Sequence, residues 1–348
     1  MTPAPLRVPA EVLRTAVRDA LMNAGVPLGI ASVEAEVMVD ADLSGVPSHG
    51  VIMLSRLLVA LRDGRAAPSP VTALVRERGA TCVFDGANGP GRWVSMCAMD
   101  HAIERARSFG IGACLAIRTT HWGRAHTYAA HAARQGMVGI CTTNAIPTLA
   151  PAGATRAALG NNPLAIGVPR GDRVGAADPL VLDVAMTQAA FGKVVTFRRE
   201  GRPIPPDWGL AADGRPTTDA AAILASGLLT PMGGHKGTGL ALMMELLTAG
   251  LAGGLFGHEI VARDASGLDP DSSKLFVAID ADTFGGGAGL ASRIDMLLTW
   301  MRESAPNTDL LAPGERSWRT REQYLRDGVP IHAAIAEQLA AAGVTLPG

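Results

Sequence analysis

The sequence predicts an α/β protein with a layered sheet. Between residues 94 and 142, segments with a helical spacing of apolar residues alternate with short apolar runs that are typical of strands. The 41 glycines and 23 prolines among the 348 residues indicate many tight loops on this scaffold. At about 150 residues per domain the length favours two domains. The hydrophobic fraction of 48% is enough for a large core, which argues against disorder.

Apolar spacing predicts where the helices and strands lie. Two amphipathic helices open the chain and a third covers 51–61, so that His49 lies at a junction between helices. The apolar stretch 237–256 contains Glu245 and several glycines, and it predicts a buried helix rather than a membrane span. The polar, Pro-rich segment 201–229 has no clear periodicity and predicts a surface excursion. Further helices are expected over 94–106, 126–135, 288–303 and 331–342, and strands over 72–84 (a hairpin), 111–117, 137–142, 164–168, 180–184 and 276–279.

Charge and cysteine content exclude several classes of partner. The 31 Lys and Arg nearly cancel the 32 Asp and Glu, which leaves no electrostatic footprint for nucleic acid or an anionic membrane. The N-terminus carries Glu11 and Arg14 where a secretion signal needs an uninterrupted apolar segment. The four cysteines lack CxxC spacing, so we expect a cytoplasmic protein with reduced thiols and no metal site. They are Cys82, Cys97, Cys114 and Cys141.

The usual dinucleotide fingerprint is absent. Gly110-Ile111-Gly112 lacks the third glycine at the right spacing, and it precedes a predicted strand instead of a helix. The glycines at 285–287 and 289 are bunched too closely. A bound dinucleotide would therefore have to be held without a Rossmann turn.

Two histidine clusters could carry proton chemistry. Ser48-His49-Gly50 places an imidazole beside a hydroxyl at the helix junction, and an imidazole can exchange a proton near neutral pH. The alternative is a helix-capping serine next to an exposed histidine. The second cluster, residues 119–123, follows a predicted strand, where ligand contacts are common. His121 beside Trp122 suits core packing equally well.

Two further features suggest an anion site and a buried charge. Gly233-Gly234-His235-Lys236-Gly237 leads into a predicted helix, where free amides, the helix dipole and a lysine favour a phosphate or carboxylate. The alternative is a flexible loop with a solvated lysine. Asp183 follows an apolar run, so its carboxylate needs a partner, which could be a backbone amide or a protonated imidazole.

Taken in order, these segments resemble the type-2 malate/L-lactate dehydrogenase family from about residue 10 to about residue 330. The resemblance implies a non-Rossmann NAD(P)-binding fold of the L-sulfolactate dehydrogenase-like type, with a mixed sheet and flanking helices. It also implies a homodimer, a small-molecule substrate and NAD or NADP as the cofactor. Its motifs are Ala41 to Val51 (ADLSGVPSHGV), Thr120 to Gly123 (THWG), Thr143-Asn144, Leu159 to Ile166 (LGNNPLAI), Leu182 to Ala185 (LDVA), Gly192-Lys193, Pro231 to Gly237 (PMGGHKG) and Pro313 to Arg316 (PGER).

The resemblance assigns roles to individual residues. His49 matches the family's proton donor and acceptor, with Ser48 beside it and Asp183 working with it. An imidazolium poised by a carboxylate could protonate the heteroatom that hydride addition leaves charged. Positions near the cofactor are matched by His121, Thr143, Asn144, Val184, Ala185, Thr187 and His235. Positions that contact its ribose and phosphates are matched by Lys236, Gly314, Glu315 and Arg316.

The substrate side departs from the family. Many members have an arginine four residues after the SHG histidine, where it can hold a substrate carboxylate, and here that residue is Met53. Either Arg56, one turn further along, takes over this role, or the substrate lacks the carboxylate. Asn161 replaces the usual threonine, and Met186 replaces a small hydroxyl residue. Three such changes suggest an unusual substrate.

The predicted activity is hydride transfer between NAD(P) and a 2-oxo or 2-hydroxy acid or a related carbonyl. An imine reductase for a cyclic 2-imino acid is the second possibility, and a non-catalytic cofactor-binding paralogue is the third. The expected organisation has three regions. A mainly helical domain covers 1–70 and 300–348, a substrate and dimerisation region covers 71–120 and 230–300, and a cofactor-binding region covers 121–229.

Overall fold

A seven-stranded mixed sheet lies at the centre of the computed structural model, which describes residues 5–170, 178–263, 268 and 271–346. Its strands are β2 (Ala73–Arg78), β3 (Thr81–Asp85), β4 (Ile111–Thr119), β5 (Met137–Thr143), β8 (Leu164–Val168), β9 (Leu180–Val184) and β12 (Ser272–Asp280). They lie in the order β2, β3, β4, β12, β5, β8, β9. β3 and β4 pair in parallel, and the other neighbours pair antiparallel. This confirms the predicted fold class, and β8 and β9 have the predicted bounds.

Helices α4 (Gly91–Phe109) and α5 (Ala125–Arg134) pack against this sheet. Small residues let them approach closely, because a Cβ at Gly167 would lie 2.2 Å from the carbonyl oxygen of Ala129. Tyr128 and Phe276 are fully buried in the layer between helix and sheet. The ends of β4 and β9 that carry the predicted site residues therefore rest on a rigid support.

The two chain ends form a helical layer with its own apolar core. It contains β1 (Leu6–Val8), α1 (Ala10–Asn23), α2 (Leu28–Leu43), α3 (Leu54–Arg62), β13 (Val329–Ile331) and α12 (Ala333–Ala341). β1 and β13 pair antiparallel and join the two ends. Between α2 and α3 the chain makes two 3₁₀ turns, Pro47–His49 and Val51–Met53, where the sequence predicted a helix from residue 51. His49 thus lies at the predicted junction.

Segment 201–229 includes short regular elements that the sequence did not predict. It contains β10 (Gly209–Leu210), α7 (Ala220–Ser226) and β11 (Leu228–Leu229). These strands join β6 (Pro147–Leu149) and β7 (Leu159–Gly160) in a small sheet of order β10, β11, β6, β7. Two-residue strands have too little periodicity to be read from sequence.

The apolar stretch 237–256 is helical as far as residue 252, but the prediction that it is buried was wrong for the single chain. It begins as α8 (His235–Glu245) and continues as a π turn over Leu246–Gly250. Its exposed apolar face consists of Leu240, Leu242, Met243, Leu246, Leu247 and Leu251. None of the described helices has the length and hydropathy that a bilayer crossing requires. The remaining helices are α6 (Phe191–Arg199), α9 (Gly257–Arg263), α10 (Gly287–Glu303) and α11 (Glu315–Asp327), with a 3₁₀ turn at Ala281–Phe284.

Candidate active site

A buried carboxylate stabilises the chain next to His49. Asp42, in the last turn of α2, accepts a hydrogen bond of 2.7 Å from the Val51 amide. Gly50 leaves room for it, since a Cβ there would lie 2.1 Å from Asp42 Oδ1. Burial raises the pKa of Asp42 to about 7, although the Val51 amide and the Arg92 charge oppose this. Asp42 was not among the predicted site residues, although the motif Ala41 to Val51 contains it seven residues before the histidine.

His49 and His121 form a pair at the centre of the site. Their ring centroids are 5.9 Å apart and the rings are nearly parallel, at 29°. The Ser48 hydroxyl oxygen lies 2.9 Å from His49 Nδ1, which leaves His49 Nε2 for exchange with a ligand. The Gly123 amide donates to His121 Nδ1 over 3.1 Å. The structure therefore brings together the two histidine clusters that the sequence singled out.

Both imidazoles are neutral in the free protein at pH 7. Burial lowers the pKa of His49 to about 4, with the Asp183 charge opposing this and the Arg92 and Arg124 charges adding to it. Burial also lowers the pKa of His121 well below its usual value, and the charges of Arg92, His49, Lys274 and Arg56 act in the same direction. A neutral imidazole with an available nitrogen is a proton acceptor.

Asp183 is bonded by an arginine, which was not predicted, and by a backbone amide, which was one of its two predicted partners. Its Oδ2 accepts a hydrogen bond of 2.9 Å from Arg124 Nε and one of 3.3 Å from the His126 amide. Arg124 Nη2 also donates to Ser317 Oγ in α11 over 3.1 Å. The carboxylate still lies close enough to raise the pKa of His49. Arg124 was missed, although it directly follows the THWG motif.

On the substrate side, Met53 is half-buried in the 3₁₀ turn before α3, and Arg56 is exposed in the first turn of α3. Arg56 makes no hydrogen bond or ion pair within the described part of the chain, yet its charge lowers the pKa of His121. The Asn161 carbonyl accepts a hydrogen bond of 2.8 Å from the Met186 amide. These two residues that depart from the family are therefore direct neighbours.

The predicted cofactor residues gather around the end of β9. The segment after Asp183 passes between Asn161 and residues 230–232, and Val184 and Ala185 are half-buried there. Thr187 pairs with Pro231, and its buried Oγ1 has no hydrogen-bond partner among the described residues. His235 and Lys236 are exposed in the first turn of α8. An unpaired hydroxyl beside a helix N-terminus with a lysine fits the phosphates and ribose of a dinucleotide.

The second predicted anion-binding segment reaches the same strand. Gly314 precedes α11 in a left-handed conformation, and a Cβ there would lie 3.1 Å from the Val181 amide nitrogen in β9. Glu315 accepts from the Ala312 amide and pairs with Arg302 and Arg319, whereas Arg316 is exposed. Arg316 is thus the cation of this segment that can reach a ligand.

Two of the predicted cofactor residues have their side chains fully engaged. Thr143 donates to the Asn144 carbonyl over 2.9 Å. Asn144 donates to the Leu255 carbonyl over 2.8 Å and accepts from the Ser273 amide over 2.9 Å. Their hydrogen bonds tie the end of β5 to Leu255 and Ser273 and so stabilise the backbone near the site. In the described ranges no three His, Cys, Asp or Glu side chains converge as metal ligands.

Comparison with known proteins identifies the family. The model of the malate/L-lactate dehydrogenase family matches residues 8–340. Malate dehydrogenase of Pyrococcus horikoshii is 32% identical over 344 residues, covering 96% of this chain and 94% of that protein. Delta(1)-pyrroline-2-carboxylate reductase of Ancylobacter novellus is 33% identical over 343 residues, covering 97% and 98%. The solved sulfolactate dehydrogenase of Methanocaldococcus jannaschii superposes with a TM-score of 0.88 at 33% identity, covering 98% of each chain. The chain therefore belongs to the malate/L-lactate dehydrogenase family and is an oxidoreductase that uses NAD or NADP.

Proposed function

We propose that this protein transfers a hydride between NAD(P) and a 2-oxo or 2-hydroxy acid, with His49 exchanging the proton. The observation that carries the proposal is the His49–His121 pair, in which Ser48 engages Nδ1 of His49 and leaves Nε2 available. This pair lies next to the Asp183 strand end, around which the cofactor residues gather.

The residues near β9 fit a dinucleotide. Lys236 at the N-terminus of α8 and Arg316 at that of α11 would hold its phosphates, and Thr187 Oγ1 would find a partner in it. When bound, NAD(P) supplies or accepts the hydride. Gly233 and Gly234 both have positive φ and leave the approach to α8 open, since a Cβ on either would have no neighbour within 4 Å.

His49 handles the proton in both directions. In oxidation its neutral ring takes the proton from the substrate hydroxyl, and the low pKa keeps it ready for this. In reduction the ring must carry a proton. A substrate anion that enters beside the ring offsets the arginine charges and favours the imidazolium. Asp183 adds to that effect while Arg124 holds the carboxylate in place.

The test is a substrate panel. The purified protein is mixed with NADH or NADPH and with 2-oxo acids such as pyruvate or oxaloacetate, and cofactor oxidation is followed. We expect turnover of a 2-oxo acid. Turnover of a cyclic 2-imino acid alone would favour the second candidate, which is supported by the relative that reduces Delta(1)-pyrroline-2-carboxylate. Cofactor binding without any turnover would favour a non-catalytic paralogue, and retention of both His49 and Asp183 argues against that outcome.

We further propose a cytoplasmic homodimer. All four cysteines are unpaired thiols, which suits a reducing compartment. The apolar face of α8 and its π turn would be covered by a second copy, because an apolar patch of this kind is rarely left in water. The helical layer of 1–70 and 300–348 we propose as one domain, since it has its own core. The other two expected regions both contribute strands to the central sheet, so we propose them as functional regions only.

A further inference from the structure

We propose that Arg92, to which the sequence analysis gave no role, binds the acid group of the substrate. This inference rests on the proposed function and identifies the residue that replaces the arginine missing at Met53. Arg92 is the second residue of α4 and is 2% exposed. The Glu34 carboxylate of α2 holds it in place. It accepts a hydrogen bond of 3.2 Å from Arg92 Nη1 and hydrogen bonds of 2.8 Å and 2.9 Å from the backbone amides of Arg92 and Trp93.

The other edge of the guanidinium is unpaired. Arg92 Nε and Nη2 are buried and have no hydrogen-bond partner in the described part of the chain. This is the edge that grips a carboxylate side-on, as Arg118 demonstrates in the same chain. Arg118 Nε lies 2.9 Å and 3.0 Å from the two oxygens of Asp85, and its Nη2 bonds the same carboxylate. A buried donor without an acceptor is costly, so an anion that fills this edge is favoured.

The unpaired edge lies against the loop that carries His121. A Cβ at Gly123 would lie 2.9 Å from Arg92 Nε, and Gly123 has a φ of +79°. The Arg92 charge also lowers the pKa values of both His49 and His121, which places it close to the pair. Because the edge is shielded from water, the loop around Gly123 must shift for an anion to reach it.

The chemistry of a 2-oxo acid matches this position. Its carboxylate is bonded directly to the carbon that accepts the hydride, so a residue that holds the carboxylate beside the histidine pair also presents the 2-oxo group to His49. Met53 cannot make such a contact, and Arg56 is exposed on α3, where water competes for its charge. The buried, pre-fixed guanidinium is the better carboxylate clamp.

The test compares Arg92→Gln with Arg105→Gln. Arg105 lies on the same helix, is 8% exposed and pairs with Glu77, so the control removes an equally buried arginine away from the histidines. Binding of oxamate, an inert isostere of a 2-oxo acid, and of its neutral counterpart oxamide is measured by calorimetry in the presence of NADH or NADPH. We expect Arg92→Gln to weaken the binding of oxamate about 30-fold or more and to leave the affinities for oxamide and for the cofactor unchanged. The Kd of Arg105→Gln for oxamate should stay within about twofold of the Kd of the unmodified protein.

Equal loss of oxamate and oxamide, or unchanged oxamate binding, would overturn the role of Arg92. If Arg92→Gln does not fold, Arg92→Lys keeps the charge but loses the two-point contact, and oxamate should bind about tenfold more weakly. Unchanged binding to Arg92→Lys would overturn the proposal too. Turnover of 2-oxo acids by the unmodified protein is measured separately. Its absence would contradict the proposed function, whereas turnover with no change on Arg92 substitution would contradict this inference alone.

Discussion

The low pKa of His49 predicts an unusual pH dependence. A fall from 6.5 to about 4 corresponds to about 3 kcal/mol in favour of the neutral ring, at about 1.4 kcal/mol per pH unit. At pH 7 about one ring in a thousand is protonated in the free protein. The kcat/KM for oxidation of a 2-hydroxy acid should therefore stay level from about pH 8 down to about pH 5 and halve near pH 4. The kcat/KM for reduction, which needs the protonated ring, should fall about tenfold for each unit that pH rises from about 5 to about 8.

The assay is steady-state kinetics in both directions at saturating cofactor, with a direct titration of the His49 ring by NMR. His49→Gln assigns the resonance. Arg124→Gln is the informative variant, because it removes a cation and also releases the Asp183 carboxylate, and both changes raise the pKa of His49. An acid limb near pH 6.5 in the unmodified protein, or no upward move in Arg124→Gln, would refute this electrostatic reasoning.

Three further predictions concern the turn and the apolar face. Gly50→Ala places a Cβ within 2.2 Å of the Asp42 carboxylate, so its thermal midpoint and kcat should both fall, and unchanged values would contradict the packing argument. Asp42 has a folded pKa of about 7 against 3.8 unfolded, so its contribution to stability is lost as pH rises from about 4 to about 7, by about 4 kcal/mol. In Asp42→Asn, the free energy of unfolding measured by denaturant titration should no longer fall with pH by this amount. If the free energy of unfolding depends on pH in the same way in the variant and the unmodified protein, the assigned pKa of Asp42 is contradicted. In analytical ultracentrifugation, the unmodified protein should sediment as a dimer and Leu246→Glu as a monomer. An unmodified protein that sediments as a monomer would contradict the proposed homodimer.

Local patterns were enough to predict much of the fold. The strands at 164–168 and 180–184 are short apolar runs bounded by turn residues, and they have the predicted bounds. The stretch 237–256 shows the limit of this approach. Hydropathy identifies an apolar helix, but it does not say whether the helix is covered by the same chain. In the described chain much of its apolar face is exposed.

Contacts within the site could be predicted where both residues lie in one sequence segment. They could not be predicted where the two side chains come from distant segments. Ser48 and His49 are adjacent, so their contact follows from the motif. Arg124 and Asp183 are 59 residues apart, and only the packing of α5 beside β9 brings them together. The same holds for Glu34 and Arg92, which are 58 residues apart. A sequence indicates that a buried charge needs a partner, but it does not name the partner.

The role of His49 is tested most directly by the turnover of His49→Gln at matched cofactor occupancy. We expect kcat for a 2-oxo acid to fall by about 100- to 10,000-fold, because the proton donor and acceptor is lost. The Kd of NADH or NADPH should stay within about twofold, since the predicted cofactor residues at β9, α8 and α11 are unchanged. A variant that keeps turnover within about threefold of the unmodified protein would contradict the assignment of His49.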